Sequence, residues 1–207
     1  MSSHHIVRDE QEPALILHKI GNFPTHILHS LLEWSPTVLS CETSIDRFTS
    51  LGHKLDVVLV GFQNFTKWQE NLSDQQPVKI IAIHGNEFLM TALTVLQKDN
   101  HQAINVVTDE ESAPEVLELL SQWMHLLDLV VYTESKRYLL VKETVFKKWL
   151  PANSKVEIVS MQSPVQWNFE GVELEQSDEI ELELIKQEEG ELVIQSNKPP
   201  FLVIEEL

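Results

Sequence analysis

Short apolar runs alternate with helical segments through the first two thirds of the chain. The runs are rich in β-branched residues and read ALIL, TVLSC, DVVLV, KIIAI, INVV and LVVYT. Between them, apolar residues recur at helical spacing, as in the stripe formed by Phe88, Ala92 and Val95. Strands that are apolar throughout and alternate with helices are typical of a parallel sheet covered on both faces. The sequence therefore predicts an α/β unit over roughly residues 12 to 134.

The last third of the chain has a different pattern. No helical spacing occurs after about residue 150, and EIELELI (179–185) alternates strictly between acidic and apolar residues. Such alternation predicts an antiparallel strand with one buried face and one wet face. Residues 151–207 contain 13 acids and 3 bases. We therefore predict a small all-β domain whose outer face is acidic, and such a face is most often simply solvated.

The overall charge limits the partners that the protein can have. It is −17, from 32 acidic and 15 basic residues. A chain this acidic repels phosphate backbones and anionic lipids, so we expect it to bind neither nucleic acid nor membrane. Cys41 is the single cysteine, which excludes an internal disulfide and suits a reducing compartment. Because no apolar run approaches 18 residues, we expect no membrane span and a cytoplasmic location.

Ligands in doubly wound α/β proteins bind beyond the carboxyl ends of the strands. The loops at these ends are predicted at 42–44, 60–64, 84–88 and 108–112. None of them matches a phosphate-binding glycine loop, and the chain has no HExxH, paired-cysteine or GxSxG motif. Motif spacing alone therefore predicts no metal site and no nucleophilic centre.

Two polar patterns have both a functional and a structural interpretation. His26 and His29 are three residues apart on a predicted helix, but without a third ligand such pairs more often face solvent than bind metal. His84 lies in a candidate loop and is the histidine that we single out as a possible ligand. The acids of VVTDEES (106–112) could bind a cation or could precede a helix capped by Ser112. We favour the cap, because a proline and a glutamate follow at first-turn positions.

The order of motifs resembles the thiamine pyrophosphokinase family over essentially the whole chain. The stretches that carry the resemblance are SPTVLSCETSIDRFTSLGHKLDVVLVGFQN, KIIAIHGNEFLMTALTVL, and WNFEGVELE in a tail that ends NKPPFLVIEEL. The resemblance implies a Rossmann-like α/β domain for ATP, here residues 1–147, and a thiamine-binding β-sandwich domain, here residues 148–207. It also implies a homodimer with thiamine held between subunits, and transfer of diphosphate from ATP to thiamine.

The catalytic positions that the resemblance assigns are mostly changed. They are Glu42, Gly61, Gln63, Asn64, Glu87 and Phe88. Gly61 and Gln63 stand where the family's Gly-Asp-Phe-Asp-Ser motif has two aspartates, and Phe88 stands in place of the aspartate of a Thr-Asp pair. Glu42 alone keeps an acid, where the family has Asp-Gly-Ala. Because Mg²⁺ requires oxygen ligands, carboxylates foremost, we predict that Mg-ATP binding in the family manner is lost.

Trp167 and Gly171 are the ligand-binding positions that the resemblance assigns in the β domain. Trp167 could stack on a flat aromatic ligand, although core packing is the commoner role of a tryptophan.

Three functions remain open on the sequence. The first is a degraded member of the family that still binds thiamine, its diphosphate or another small molecule. The second is an active enzyme that uses Mg²⁺ and ATP through a rearranged set of acids, drawn from Glu42, Asp56, Glu87 and Asp109. The third is a protein-interaction module that uses the acidic β face. No cofactor is predicted unless the enzyme is active.

Overall fold

The computed structural model describes residues 12–85, 87–177 and 181–207, and it describes their side chains except those of 174–177. The chain divides into two compact units. The first comprises the described residues up to Leu117 together with Leu126–Glu134, and the second comprises Glu118–His125 and Ser135–Leu207. The change from one architecture to the other therefore falls near residue 134, where the α/β pattern in the sequence ends.

The first unit is built on a parallel sheet, as the apolar runs predict. Its strands are β1 (Ala14–Leu17), β2 (Val38–Cys41), β3 (Val57–Gly61), β4 (Lys79–Ile83), β5 (Ala103–Val107) and β6 (Asp128–Tyr132). They lie in the order β4-β3-β2-β1-β5-β6, and each neighbouring pair is parallel. All carboxyl ends therefore lie along one edge of this sheet.

Helices connect these strands. They are α1 (Thr25–Leu32), α2 (Glu42–Ser50), α3 (Phe65–Asn71), α4 (Phe88–Lys98) and α5 (Ala113–Ser121). Pro24 is the N-cap of α1, and Gly52, with φ +81°, follows α2 as a C-terminal glycine commonly does. In α4 the buried stripe contains Phe88 and Ala92, whereas Val95 is only partly buried because Leu96 occupies the core position beside it.

Strand β4 is less buried than its apolar sequence suggests. KIIAI predicts a fully covered strand, but β4 is the last strand of the described sheet on its side, and none of its residues is fully buried. A strand with one neighbour leaves part of its surface uncovered, whatever its composition. The sequence of a single strand carries no information about its place in the sheet order.

The second unit contains antiparallel strands. They are β7 (Lys136–Val141), β8 (Val145–Leu150), β9 (Lys155–Ser160), β10 (Trp167–Glu170), β11 (Glu173–Ser177), β12 (Glu181–Ile185), β13 (Gly190–Ser196) and β14 (Phe201–Glu206). Within this unit the order is β11-β12-β9-β14-β7, with β10-β13-β8 as a separate sheet. One apolar cluster contains residues of both sheets, including Leu182, Leu184, Leu192 and Phe201. The alternation predicted over 179–185 is confirmed within β12, since Leu182 and Leu184 are buried and Glu181 is exposed, whereas 179 and 180 lie outside the described residues.

Candidate functional site

The strand ends of the first unit bring part of the predicted catalytic set together. Glu42 follows β2 directly, and residues 61–64 end β3 and begin the next helical turn. Because β2 and β3 are parallel neighbours, these two loops lie side by side. The carboxylate of Glu42 accepts hydrogen bonds from the Gly61 backbone N–H (2.9 Å) and from Asn64 Nδ2 (2.6 Å). Three of the six predicted positions therefore form one contact group.

The Glu42 carboxylate serves as a hydrogen-bond acceptor for its own protein. Burial raises the pKa of Glu42, but the nearby Trp68 indole N–H, the Gly61 N–H and the Asn64 amide outweigh this effect and leave its pKa below the usual value. The Trp68 N–H lies near the carboxylate but does not form a hydrogen bond of ordinary geometry with it, since the buried Trp68 Nε1 has no hydrogen-bond partner in the described residues. The Gly61 and Asn64 hydrogen bonds are therefore the main contacts of this carboxylate. Each of these contacts uses one lone pair of a different carboxylate oxygen, and together they hold Glu42 against its own loop.

Gly61 and Gln63, which the resemblance matches to two aspartates, lie against one another. A Cβ added at Gly61 would lie 2.7 Å from Gln63 Nε2 and 3.1 Å from its Cδ. The Gln63 side chain therefore folds over the space that a residue 61 side chain would occupy. This neutral amide places no charge at the turn.

Glu87 and Phe88 lie outside the contact group of Glu42, Gly61 and Asn64. Phe88 is buried in the core face of α4, and its ring stacks on His18 with centroids 5.9 Å apart. Glu87 is exposed just before α4. His84, in the same loop, stacks on the exposed ring of Phe62 at 5.4 Å. The loop after β4 and the start of α4 therefore make aromatic contacts, through His84 and Phe88.

The other acids proposed for a rearranged metal site lie elsewhere or have partners. Asp109 accepts a hydrogen bond from the Ser112 N–H at 2.8 Å and lies 3.5 Å from Lys19 Nζ. Asp56 precedes β3 and binds the Val38 N–H at 2.8 Å, so it lies about 15 Å from the carboxyl end of that strand. In the described residues no three His, Cys, Asp or Glu side chains gather in a way that could hold a metal ion.

Ser112 lies directly before α5, as the cap interpretation requires, but its hydroxyl has a different partner. Lys19 Nζ donates to Ser112 Oγ at 2.6 Å, and Ser112 carries the N–H that binds Asp109. The VVTDEES loop is therefore held by its own Asp109 and by Lys19, which contacts both Asp109 and Ser112. The burial of His18 and the charge of Lys19 lower the pKa of His18, against the opposing effect of Asp109.

Trp167 in the second unit borders an open cleft of about 400 Å³. The remaining lining is neutral and consists of Thr144, Val145, Gln166, Asn168, Gln195, Ser196 and Asn197. Trp167 is half-buried and packs edge-on against Phe201, with ring centroids 5.2 Å apart. It therefore belongs to the core and also borders the cleft. The amide side chains around it had no signal in the sequence, because they come from separate strands and turns.

Gly171 has a structural requirement of its own. Its φ is +77°, and an added Cβ would lie 2.3 Å from the carbonyl oxygen of Glu191. The Gly171 carbonyl also accepts a hydrogen bond from the buried Lys186 ammonium at 2.6 Å. Close packing of two backbone segments explains this glycine without a ligand, and a ligand-binding role for Gly171 stays a prediction.

His26 and His29 are both exposed, as the favoured interpretation of this pair predicts. His29 is in contact with His53, with ring centroids 5.3 Å apart and rings inclined at 74°. His53 lies between α2 and β3 and is 24 residues from His29, so helical spacing could not indicate the contact.

These features define an α/β unit with a loop cluster at its strand ends, joined in sequence to an antiparallel β unit with a cleft beside a tryptophan. No family model and no curated protein matches the sequence, but solved structures match the fold. The thiamin pyrophosphokinase of Geobacillus thermodenitrificans is similar with a TM-score of 0.73 at 8% identity, over 94% of this chain and 97% of that chain. The enzyme of Candida albicans is similar with a TM-score of 0.64 at 10% identity, over 96% and 90%.

The yeast thiamin pyrophosphokinase is also similar, with a TM-score of 0.64 at 8% identity over 98% of this chain and 88% of that chain. The chain therefore has the thiamin pyrophosphokinase fold, as its motif order predicts. In the described residues no helix is both long and apolar enough to cross a membrane.

Proposed function

We propose that this protein is a catalytically inactive relative of the thiamine pyrophosphokinases that binds thiamine or a related flat cation beside Trp167. One observation carries the inactive part of this proposal. The only acid kept at the expected metal position, Glu42, holds the Gly61 and Asn64 groups of its own loop. Diphosphate transfer depends on Mg²⁺ to hold and neutralise the phosphates, and the residues described at these strand ends do not fit that ion.

The remaining acids support the same proposal. A rearranged Mg²⁺ site would need several hard oxygen ligands around one point. Asp109 is paired with Lys19, and Asp56 lies at the opposite end of β3. Glu87 is then the one acid of the proposed set without a competing partner among the described contacts, and one exposed carboxylate is a poor Mg²⁺ site.

The cleft beside Trp167 supports the binding part of the proposal. An indole ring can stack on a flat heterocycle and interact favourably with a cation, and the surrounding amides can hydrogen-bond to ring substituents. No charged side chain lines the cleft, and the protein is strongly negative. We therefore expect thiamine, which is a cation, to bind more tightly than its anionic diphosphate.

The domain roles and assembly are part of the same proposal. We propose that the first unit is a Rossmann-like domain that corresponds to an ATP domain and that the second is a thiamine-binding β-sandwich. We place the boundary near residue 134 rather than at 147, because β7 and all of β8 belong to the second unit. We further propose a cytoplasmic homodimer. Light scattering of the purified chain tests the dimer, and a monomeric mass at micromolar protein would reject it.

An assay of AMP release with thiamine and Mg-ATP tests inactivity. We expect no turnover above a no-enzyme control. A rate on the order of 1 s⁻¹, ordinary for a kinase, would reject the proposal and favour a rearranged metal site.

Calorimetric titration with thiamine and with thiamine diphosphate tests the cleft. We expect Trp167→Ala to weaken thiamine binding by about tenfold or more, since stacking on an aromatic ring contributes about 1–3 kcal/mol. Trp149→Ala is the matched control, because Trp149 is 68% exposed on β8 and is not among the lining residues of the cleft. Equal affinity of the wild type and Trp167→Ala would remove Trp167 from the site, and flat heats would favour a protein-interaction role.

A further inference from the structure

His29 and His53 place two imidazole rings side by side in the first unit. His29 is in the last turn of α1, and His53 follows the glycine that ends α2. Their ring centroids are 5.3 Å apart. Neither residue belongs to the strand-end loops or to the Trp167 cleft.

Packed elements hold this pair in place. The ring of His53 lies against Phe48, with centroids 5.2 Å apart, and Phe48 is fully buried on α2. His29 follows Leu28, which is also buried in the same apolar cluster as Phe48. Both backbones are therefore anchored by core residues, so the two rings stay neighbours without a bond between them.

The chemistry of His53 leaves a nitrogen available as a ligand. His53 Nε2 is buried and has no hydrogen-bond partner in the described residues. Burial, and then the proximity of His29, lower the pKa of His53, so its ring is neutral at pH 7. A neutral imidazole nitrogen that lacks a donor is a good ligand for borderline transition metals and a poor one for Mg²⁺.

We propose that His29 and His53 together bind one divalent transition ion of the zinc and copper class. With metal–nitrogen bonds of about 2.0–2.1 Å, two imidazoles that share an ion have ring centres about 5 Å apart. The present edge-on contact has centroids 5.3 Å apart, so the rings would have to turn to share an ion, but their backbones would not have to move. His29 is exposed, so its side chain can turn to admit the ion beside His53. Two protein nitrogens bind the ion and water fills its other positions, in keeping with the lack of three-ligand groups among the described side chains.

A bound ion would link α1 to the end of α2. Binding to the folded state alone stabilises that state in proportion to the logarithm of ligand concentration. The inference does not depend on thiamine binding or on the absence of catalysis. The stability of the first unit would then depend on a metal ion bound away from its strand-end edge.

Titration with Zn²⁺ and Cu²⁺, followed by calorimetry, tests the pair in a His4→Ala/His5→Ala background. This background removes the adjacent histidines at the start of the sequence, which lie outside the described residues. Loss of a neighbour that only orients a ligand costs about 10–100-fold in metal affinity, so loss of a ligand should cost at least as much. We expect His29→Ala and His53→Ala each to weaken binding by tenfold or more.

Two control variants distinguish the pair from other histidine sites. His26→Ala should retain the affinity, because His26 is not in the pair. His125→Ala should also retain it, because it removes an exposed histidine of the other unit. Full affinity in His53→Ala together with a loss in His26→Ala would assign the ion to the surface of α1 and overturn the proposal. Equal binding of Mg²⁺ and Zn²⁺ would also overturn it, because it would indicate attraction to net charge alone.

Thermal unfolding gives a second measurement on the same proteins. Zn²⁺ should raise the Tm of the background protein and of His26→Ala, and should leave the Tm of His29→Ala and His53→Ala unchanged. A Tm increase that persists in His53→Ala would overturn the proposal even if that variant is less stable.

Discussion

At the scale of the residue, Glu42 is a strand-end carboxylate that binds groups of its own protein. Glutamate is one methylene longer than the aspartate of the family motif, and in this structure its oxygens reach the Gly61 N–H and the Asn64 amide. A carboxylate that accepts such hydrogen bonds is favoured in its charged form. The same residue type that suggests metal binding therefore stabilises a loop.

Glu42→Ala should destabilise the protein by about 1–3 kcal/mol, because it leaves the donors of residues 61 and 64 without their acceptor. Glu87→Ala is the matched control, since Glu87 is exposed and an exposed substitution usually changes stability by less than about 0.5 kcal/mol. Urea unfolding measures both variants. Equal effects would show that the Glu42 contacts contribute little.

The contribution of Glu42 should also depend on pH. Its pKa is lower in the folded state than its usual value, so the charged form is stabilised by folding. The contribution is then fully present above about pH 4.3 and is lost as the pH falls through the lower pKa of the folded state. The stability difference between the wild type and Glu42→Gln should therefore shrink in acid. A constant difference from neutral pH to acid would contradict this assignment.

Gly171 and Gly52 show two different reasons why a position with positive φ requires glycine. Both have positive φ, but an added Cβ at Gly52 meets nothing within 4 Å, whereas at Gly171 it meets a backbone oxygen at 2.3 Å. Gly52→Ala should cost about 1 kcal/mol from backbone strain alone. Gly171→Ala should cost at least about 1 kcal/mol more. Urea unfolding of the two variants measures the difference. Equal losses of unfolding free energy would mean that the Glu191 backbone moves away from the added Cβ at little cost.

At the scale of the element, the turn after β3 acts as one unit rather than as separate positions. Gln63 occupies the space next to Gly61, and Asn64 binds the Glu42 that also holds Gly61. A substitution at one of these positions therefore disturbs the others. We therefore expect that one aspartate alone, at position 61 or at position 63, would not create a metal site.

Gly61→Asp/Gln63→Asp restores both aspartates and also removes the longer side chain that blocks position 61. Without metal, repulsion from Glu42 should destabilise this variant by about 1 kcal/mol, the interaction of two charges about 4 Å apart in water. Millimolar Mg²⁺ should raise the Tm of this variant but not that of the wild type. Gly61→Asn/Gln63→Asn is the neutral control and should not respond. An equal Mg²⁺ response in the wild type would contradict the proposed loss of the metal site.

At the scale of the whole molecule, the excess of negative charge opposes the compact state. A net charge of −17 destabilises a folded chain through self-repulsion, and salt screens that repulsion. The Tm should therefore rise by a few degrees between about 0.01 M and 0.15 M NaCl, as the Debye length falls from about 30 Å to 8 Å. KCl should have the same effect, and a decrease in Tm with either salt would show that ion pairs dominate.

Much of the fold could be predicted from local patterns. The parallel strands follow from apolar β-branched runs between helices, and the β12 alternation predicts one buried face, because side-chain period is a property of each strand. The edge position of β4 could not be predicted, because strand order depends on contacts between distant segments. The His29–His53 contact was missed for the same reason.

The sequence by itself determined the fold, the excess of acidic charge and the absence of aspartate from positions 61 and 63, since motif order, composition and residue identity are written in the chain. Only the tertiary structure decided how the remaining groups are used. It paired Glu42 with Gly61 and Asn64, Asp109 with Lys19, and Trp167 with a neutral cleft. The physical reason is that a polar side chain acquires its role from the donors, charges and rings around it, and folding brings these from separate parts of the sequence.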